Sequence, residues 1–158
     1  EIGANIGACV MEMLLSTDAR IIAFEPHPKN LFVLQQSIAA LDQSYQDRVV
    51  LVPVALGPES TTNTIYAAEG NMGNSVVGKI IKDNNRQKFS TDNQFTIHVE
   101  RLDSILSEQA DVAFVKLDAQ GYECNILEGI SNNLAQQIHK VKFEVAPKWL
   151  KAQGCSDL

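Results

Sequence analysis

The sequence contains few cysteines, few histidines and no long apolar run, and each shortage excludes a class of protein. Its 3 cysteines and 3 histidines lack the Cys-x-x-Cys and His-Glu-x-x-His spacings of zinc sites. The longest apolar stretch, residues 49–56, is far shorter than the roughly 20 residues of a membrane-spanning helix. We therefore expect no metal site, no disulfide framework and no membrane segment, and unpaired cysteines favour a reducing, cytoplasmic environment.

Basic residues are outnumbered by acidic ones. Lysine and arginine number 13 against 19 aspartates and glutamates, so the formal net charge of −6 argues against a nucleic-acid partner. Hydrophobic residues make up 45% and charged residues 20% of the sequence, as in ordinary globular proteins. With 158 residues, no internal repeat and no proline- or glycine-rich linker, the chain is expected to form a single domain over residues 1–158.

Short apolar runs alternate with helical periodicities along much of the chain. Strands are predicted at residues 20–24, 48–56, 64–68, 95–99, 112–115 and 140–145, and helices at residues 7–17, 28–41 and 122–130. Strands separated by helices are typical of βαβ units, and thus of a mostly parallel sheet in a three-layer α/β fold. Ligands of such folds bind beyond the carboxyl ends of the strands, so functional side chains are expected there.

The chain begins with a glycine-rich turn, in which Gly3 and Gly7 let the backbone approach a ligand. Free N–H groups at the start of the following helix favour a negatively charged group, either the pyrophosphate of NAD or the methionine carboxylate of S-adenosylmethionine. Asn5 stands where a pyrophosphate needs a second glycine, which counts against NAD. Because a strand normally precedes such a turn, we expect a partial domain with any targeting signal upstream.

Acidic side chains lie at or near the carboxyl ends of three predicted strands. Glu25 comes after Gly7 at close to the roughly 20-residue spacing at which a carboxylate accepts hydrogen bonds from both hydroxyls of a ribose. Asp118 lies at the mouth of a core strand, where it either faces the ligand or caps the next helix. Glu144 lies near the end of the last strand, where a functional and a surface role are both open.

Five segments occur in a fixed order between residue 1 and residue 146. They are Glu1-Ile-Gly-Ala-Asn-Ile-Gly7, Ala23-Phe-Glu-Pro-His-Pro-Lys-Asn30, Val54-Ala-Leu-Gly57, Leu102-Asp-Ser-Ile-Leu106 and Phe114-Val-Lys-Leu-Asp-Ala-Gln-Gly-Tyr-Glu123. Together they resemble the FkbM family of S-adenosylmethionine-dependent methyltransferases. The resemblance implies a Rossmann-like class I methyltransferase fold, truncated in this chain at one or both ends, that methylates a hydroxyl of a sugar, polyketide or other small molecule.

The resemblance also implies roles for individual residues. The cofactor-binding residues would be Glu1, Gly3, Asn5, Gly7, Glu25 and Asp118, with Glu1 near the ammonium group of the cofactor and Glu25 on its ribose. Asp118, helped by Lys116 or Glu144, is expected to orient or deprotonate the acceptor hydroxyl. A small-molecule or glycan acceptor is expected to bind near residues 69–88, and no pattern indicates an oligomeric state.

Two other functions stay open from the sequence. A degenerate Rossmann-like module would bind a nucleotide or a partner without turnover. Ala146 favours this alternative, because a polar residue is more usual at that position in the family that the chain resembles. An NAD-dependent oxidoreductase would share the glycine turn and Glu25, but Asn5 and the later segments argue against it.

Overall fold

The computed structural model describes residues 1–68, 70, 72–80 and 89–155 and shows an α/β chain. The strands are β1 (Ile21–Phe24), β2 (Val49–Val52), β3 (Ala55–Leu56), β4 (Thr61–Ala68), β5 (Val76–Val77), β6 (Phe89–Glu100), β7 (Val115–Leu117) and β8 (Val141–Phe143). The helices are α1 (Ala8–Ser16), α2 (Pro28–Ala39), α3 (Gln43–Gln46), α4 (Leu102–Ile105), α5 (Glu123–Glu128), α6 (Asn132–Gln136) and α7 (Pro147–Gln153). None of the helices in these ranges is both long and apolar enough to cross a membrane.

The start of α2 illustrates how the local sequence sets an element. Pro28 occupies the first turn, where a missing N–H costs nothing, and the ring Nδ1 of His27 accepts a hydrogen bond from the Lys29 amide at 3.2 Å. Asn30, Leu34 and Ile38 then follow at steps of four residues and form the buried face of the helix. The predicted helix over residues 28–41 is therefore confirmed with a slightly earlier end.

Two parallel strand pairs meet at the glycine turn. β1 pairs with β2, β7 pairs with β8, and Ile2 forms parallel bridges to Phe24 on one side and Leu117 on the other. An apolar cavity of about 480 Å³ between β1 and β7 is lined by residues of both strands and by Ile2. The turn therefore joins β1 and β7 at their carboxyl ends.

The remaining four strands form a mixed sheet in the order β3-β6-β4-β5. β3 pairs in parallel with β6, but β4 pairs antiparallel with both β5 and β6. The pairing of β4 with β6 runs from Thr61 opposite Val99 to Ala68 opposite Phe89. A parallel return would need a crossover, usually a helix. The described part of the connection between β4 and β6 holds only β5 and a 3₁₀ turn at Met72–Asn74. The α/β fold is as predicted, but a mostly parallel sheet is not confirmed, because this sheet is mixed.

Apolar clusters lie on both faces of β1. Ile21 and Ala23 belong to one cluster, whereas Ile22 and Phe24 pack in the other, as the alternation of side chains along a strand requires. The first cluster is completed by residues of α1 and α2, which are Val10, Leu14, Leu34 and Ile38. The second is completed by Leu56, Leu102, Leu117, Ile126 and Leu134, which come largely from the second half of the chain. Helices therefore cover β1 from both sides.

Several predicted strands differ from the observed ones. The run at residues 48–56 is broken into β2 and β3 at Pro53, which cannot donate a ladder hydrogen bond. The core strand begins at Val115 rather than Val112, which makes only an isolated bridge to Ile138. The acceptor region predicted over residues 69–88 lies partly outside the described residues, because 69, 71 and 81–88 are not among them.

The expectation that the cysteines are unpaired is wrong for two of them. Cys124, in the first turn of α5, and Cys155, just after α7, form a disulfide across 31 residues with a Cα–Cα distance of 5.9 Å. Their spacing in the sequence carries no pairing signal, because α7 brings them together by folding back onto the chain near α5. Cys9 is free. The argument for a cytoplasmic location from unpaired cysteines is thereby lost, and localisation stays a prediction.

Candidate functional site

A cavity of about 270 Å³ lies at the carboxyl ends of β1 and β7. Its wall combines the glycine turn, the segment after β1 and the segment after β7 with apolar residues of the mixed sheet. The lining residues include Glu1, Gly3, Asn5, Glu25, Asn30, Ile65, Val77, Lys116, Asp118 and Gln120. Every predicted site residue except Gly7 and Glu144 lines this cavity.

The two predicted glycines are required by packing within the protein. Gly3 has φ +78°, and a Cβ there would lie 1.9 Å from the carbonyl oxygen of Asp118. Gly7 has φ +94° and precedes α1, and a Cβ there would lie 2.2 Å from Cδ1 of Leu34. The sequence interpretation gave these glycines a close approach to a ligand, but their nearest neighbours are protein atoms. Gly3 still lines the cavity with its backbone.

The buried carboxylate of Glu25 ties the turn to the segment after β1. Its Oε2 accepts a hydrogen bond from the Asn5 amide at 2.7 Å, and its Oε1 accepts one from the His27 amide at 2.9 Å. The side-chain amide of Asn30 donates a longer hydrogen bond to Oε1, at 3.4 Å. Burial raises the pKa of Glu25, although these three hydrogen bonds partly counteract the rise.

Asn30 is a candidate site residue that the sequence interpretation missed. It is 2% exposed and lines the cavity, and its Oδ1 has no hydrogen-bond partner among the described residues. A buried polar atom without a partner is costly, so such an atom beside a cavity indicates a ligand contact. The available signal was its position on the apolar stripe of α2, in line with Leu34 and Ile38.

A polar network connects the predicted acidic residues at the mouth of the cavity. Lys116 Nζ lies 3.4 Å from Glu1 Oε1 and 3.2 Å from Asp118 Oδ2. The side-chain nitrogen of Gln120 donates to Asp118 Oδ1 at 2.8 Å and to Glu144 Oε2 at 3.3 Å. Asp118, Lys116 and Glu144 are therefore brought together as predicted. Gln120, which links two of them, was not predicted.

Charge and burial shift the titration of this network. Burial lowers the pKa of Lys116, but the carboxylates of Asp118 and Glu1 outweigh it and raise that pKa overall, which keeps the ammonium charged. Burial raises the pKa of Glu1 in spite of Lys116. Burial also raises the pKa of Glu144, and the neighbouring Asp118 adds to the rise. The network therefore combines two carboxyl groups of raised pKa, Glu1 and Glu144, with a charged ammonium group.

The cluster does not have the composition of a metal site. Among the residues that the structure describes, no group of three or more histidines, cysteines, aspartates and glutamates could hold a metal ion. The side chains at the mouth are better suited to hydrogen bonding and proton transfer.

Comparison with known proteins identifies the family. Residues 1–153 match the family model of the methyltransferase FkbM domain. The chain is 29% identical over 152 residues to the hexuronic acid methyltransferase AglP of Haloferax volcanii, a match that covers 92% of this chain and 54% of that protein. The chain thus spans about half the length of the curated relative.

The fold is also similar to a solved structure. The crystal structure of methyltransferase FkbM from Methylobacillus flagellatus matches 89% of this chain and 32% of its own chain, with a TM-score of 0.59 and 18% identity. At that identity the similarity shows the fold alone, and it agrees with the α/β architecture. The match to the family model spans nearly the whole sequence and confirms the resemblance seen in the five segments. The chain therefore belongs to the FkbM methyltransferase family.

Proposed function

We propose that the chain is an S-adenosylmethionine-dependent methyltransferase that methylates a hydroxyl group of a sugar or another small molecule. Membership of the FkbM family supports methyl transfer, and a relative named as a hexuronic acid methyltransferase supports a sugar as acceptor. The observation that carries the proposal is the cavity at the ends of β1 and β7, where hydrogen-bond acceptors suited to an aminoacyl nucleoside line one wall.

The buried acceptors fit the polar groups of S-adenosylmethionine. Oε2 of Glu1 is buried without a hydrogen-bond partner among the described residues, and it lines the cavity beside the turn. An ammonium group would satisfy this oxygen, because it supplies N–H donors and a positive charge. The amides of Gly3 and Ala4 both donate to the Phe24 carbonyl, so the carboxylate would instead face the start of α1, where Ala8 and Cys9 line the same cavity. Glu1 and the start of α1 would therefore hold the methionine part.

Glu25 and Asn30 would share the ribose. A carboxylate accepts about four hydrogen bonds, and three donors already reach the oxygens of Glu25. One position therefore remains on Glu25, while Oδ1 of Asn30 lacks a partner among the described residues. The two ribose hydroxyls, which the sequence assigned to Glu25 alone, would be divided between two side chains. The Asn5 amide is occupied by Glu25, which also counts against a pyrophosphate at this turn.

The chain's own residues would align the acceptor and receive its proton. Bound S-adenosylmethionine supplies an already electrophilic methyl group, so alignment and proton removal are the contributions that the protein must make. Asp118 is partly exposed at the mouth, where its carboxylate would orient the hydroxyl and take the proton. Lys116 Nζ, 3.2 Å from Asp118 Oδ2, would hold that carboxylate in position. Glu144 would lie on the acceptor side of the mouth.

Calorimetric titration with S-adenosylhomocysteine, with NAD as a control ligand, tests the cofactor assignment. Glu25→Ala should weaken binding of S-adenosylhomocysteine by about 1–3 kcal/mol, the loss expected for a hydrogen bond to a charged group. The matched control is Glu12→Ala, which removes an exposed carboxylate from α1 away from the cavity. Equal affinities of the two variants would refute the ribose assignment, and tight binding of NAD would refute the cofactor.

Turnover separates an enzyme from a module that only binds. Asp118→Asn should retain most affinity for S-adenosylhomocysteine while losing methyl transfer to a panel of sugar hydroxyls. Unchanged transfer would remove Asp118 from the mechanism. A folded wild-type chain that binds S-adenosylhomocysteine but methylates no acceptor, even in a longer version of the protein, would favour the binding module.

A further inference from the structure

We propose that Gln120 is a positioning residue that holds the carboxyl groups of Asp118 and Glu144 together at the mouth of the cavity. The role in catalysis rests on the proposed methyl transfer. One side-chain nitrogen donates both of its hydrogens, to Asp118 Oδ1 at 2.8 Å and to Glu144 Oε2 at 3.3 Å. Asp118 follows β7 and Glu144 follows β8, so this single side chain links the ends of two neighbouring strands.

The backbone of the loop is constrained in the conformation that presents Gln120. Gln120 has φ +51°, a left-handed conformation that is uncommon for a residue other than glycine, and Gly121 follows with φ +94°. The Ala119 amide donates to Oε1 of the buried Glu123 at 2.9 Å, and a Cβ on Gly121 would come within 2.9 Å of the Trp149 backbone. Contacts on both sides therefore maintain an unfavourable backbone, as is common at functional sites.

The expected effect of Gln120 is on the protonation of the carboxyl pair. An amide donor stabilises an ionised carboxylate, and its hydrogen bond lowers the pKa of Glu144 against the rise caused by burial and Asp118. Among the residues that the structure describes, the other charged groups that act on the pair are Lys116 from β7, Glu1 from the turn and Glu123 from α5. By donating to both carboxyl groups, Gln120 holds Asp118 beside Glu144, in the position from which Asp118 would meet the acceptor hydroxyl.

Gln120→Gly is the sharpest test, because glycine adopts φ +51° without strain and removes only the side chain. The variant should still fold, because relief of the left-handed backbone strain offsets part of the stability lost with the two hydrogen bonds. In the ligand-free chain, carbon NMR of the carboxyl groups should show Glu144 titrating at higher pH than in the wild type, assigned with a Glu144→Gln spectrum. Gln109→Gly, which removes an exposed glutamine from a distant turn, is the control and should leave the titration unchanged.

The pH dependence of kcat then links the pair to the reaction. In Gln120→Gly the rising limb should move upward by about one pH unit, the change expected for one lost hydrogen bond to a charged group. Affinity for S-adenosylhomocysteine should stay within about twofold of the wild type, since the proposed ribose and ammonium contacts are intact. Gln120→Asn should behave like the glycine variant, because asparagine tolerates the backbone but is one methylene shorter.

Two results would overturn the inference. An unchanged carboxyl titration in folded Gln120→Gly would show that the side chain does not hold the pair. A shifted titration with an unshifted kcat profile would show that the pair plays no part in the rate. Failure of the wild type to bind S-adenosylhomocysteine or to turn over would instead refute the proposed function, and the ligand-free titration would still decide the contact.

Discussion

Replacing Gly3 by alanine should destabilise the protein far more than a glycine substitution usually does. The residue has φ +78°, and the new Cβ would lie 1.9 Å from the carbonyl oxygen of Asp118. That oxygen belongs to the backbone and cannot rotate away. Because ordinary contacts of a Cβ begin at 3.4 Å, the turn and the segment after β7 would have to separate by about 1.5 Å, the difference between the two distances.

The cost can be worked out from the contacts that this separation breaks. The Asp118 amide donates to the Ile2 carbonyl at 3.0 Å, directly beside the clash, and would be pulled out of hydrogen-bonding range. Leaving this buried pair unsatisfied costs about 1–3 kcal/mol, and the left-handed backbone of alanine adds about 1–2 kcal/mol. We therefore expect Gly3→Ala to lower the free energy of unfolding by about 2–5 kcal/mol, a large share of a typical total of 5–15 kcal/mol.

Gly70→Ala is the matched control. Gly70 has φ +77°, almost the same backbone angle, but no atom of the described residues lies within 4 Å of the position that a Cβ would take there. Its substitution should therefore cost only the strain of about 1–2 kcal/mol. Urea unfolding followed by circular dichroism measures both variants, with equal m-values confirming that the unfolded states are comparable. Equal losses of stability in the two variants would refute the contact between the turn and Asp118.

Two further predictions concern stability. Burial lowers the pKa of His27, so the unfolded chain binds a proton at higher pH than the folded chain does. The contribution of His27 to the free energy of unfolding should therefore be complete above about pH 6.5 and decrease as the pH falls. The variant His27→Asn keeps an acceptor for the Lys29 amide and should lose part of this pH dependence. Urea unfolding measured from pH 7.5 to pH 5.5, about one unit on either side of the ordinary histidine pKa, tests the difference. Identical pH profiles of the variant and the wild type would contradict the prediction. Cys124→Ser opens a disulfide spanning 31 residues and should cost about 3–4 kcal/mol, whereas Cys9→Ser should cost little. A reductant that leaves the unfolding of the wild type unchanged would contradict this prediction.

Local patterns were sufficient to predict α1, β1 and α2 near the start of the chain. β1 occupies four of the five residues predicted from the run at residues 20–24, and α2 begins at the predicted Pro28. Such elements depend on neighbours along the chain. The antiparallel pairing of β4 with β6 depends instead on a register between Thr61 and Val99, which no local pattern contains. The disulfide is a similar case, because α7 creates the proximity of its cysteines.

The site was predictable to the extent that it follows from strand ends. Parallel strands place their carboxyl ends at one edge, so Glu25, Lys116 and Asp118 could be expected to meet there, and the structure places them around one cavity. Their roles in binding and catalysis stay predictions. Gln120 was missed because its contact with Glu144 depends on a left-handed backbone conformation at this residue. Glutamine rarely adopts that conformation, so the amino-acid type gives no indication of it.

The same residues that form the candidate site also connect the strands around it. The Phe24 carbonyl accepts hydrogen bonds from the amides of Gly3 and Ala4, each at 3.0 Å, and the Asp118 amide donates to the Ile2 carbonyl. The turn is thereby bonded to both β1 and β7, and its distance from Asp118 is set by backbone contacts rather than by flexible side chains. A ligand held by the turn would therefore lie at a fixed distance from the carboxylate proposed to receive the proton. Alignment of donor and acceptor, the main contribution required of the protein, would follow directly from this packing.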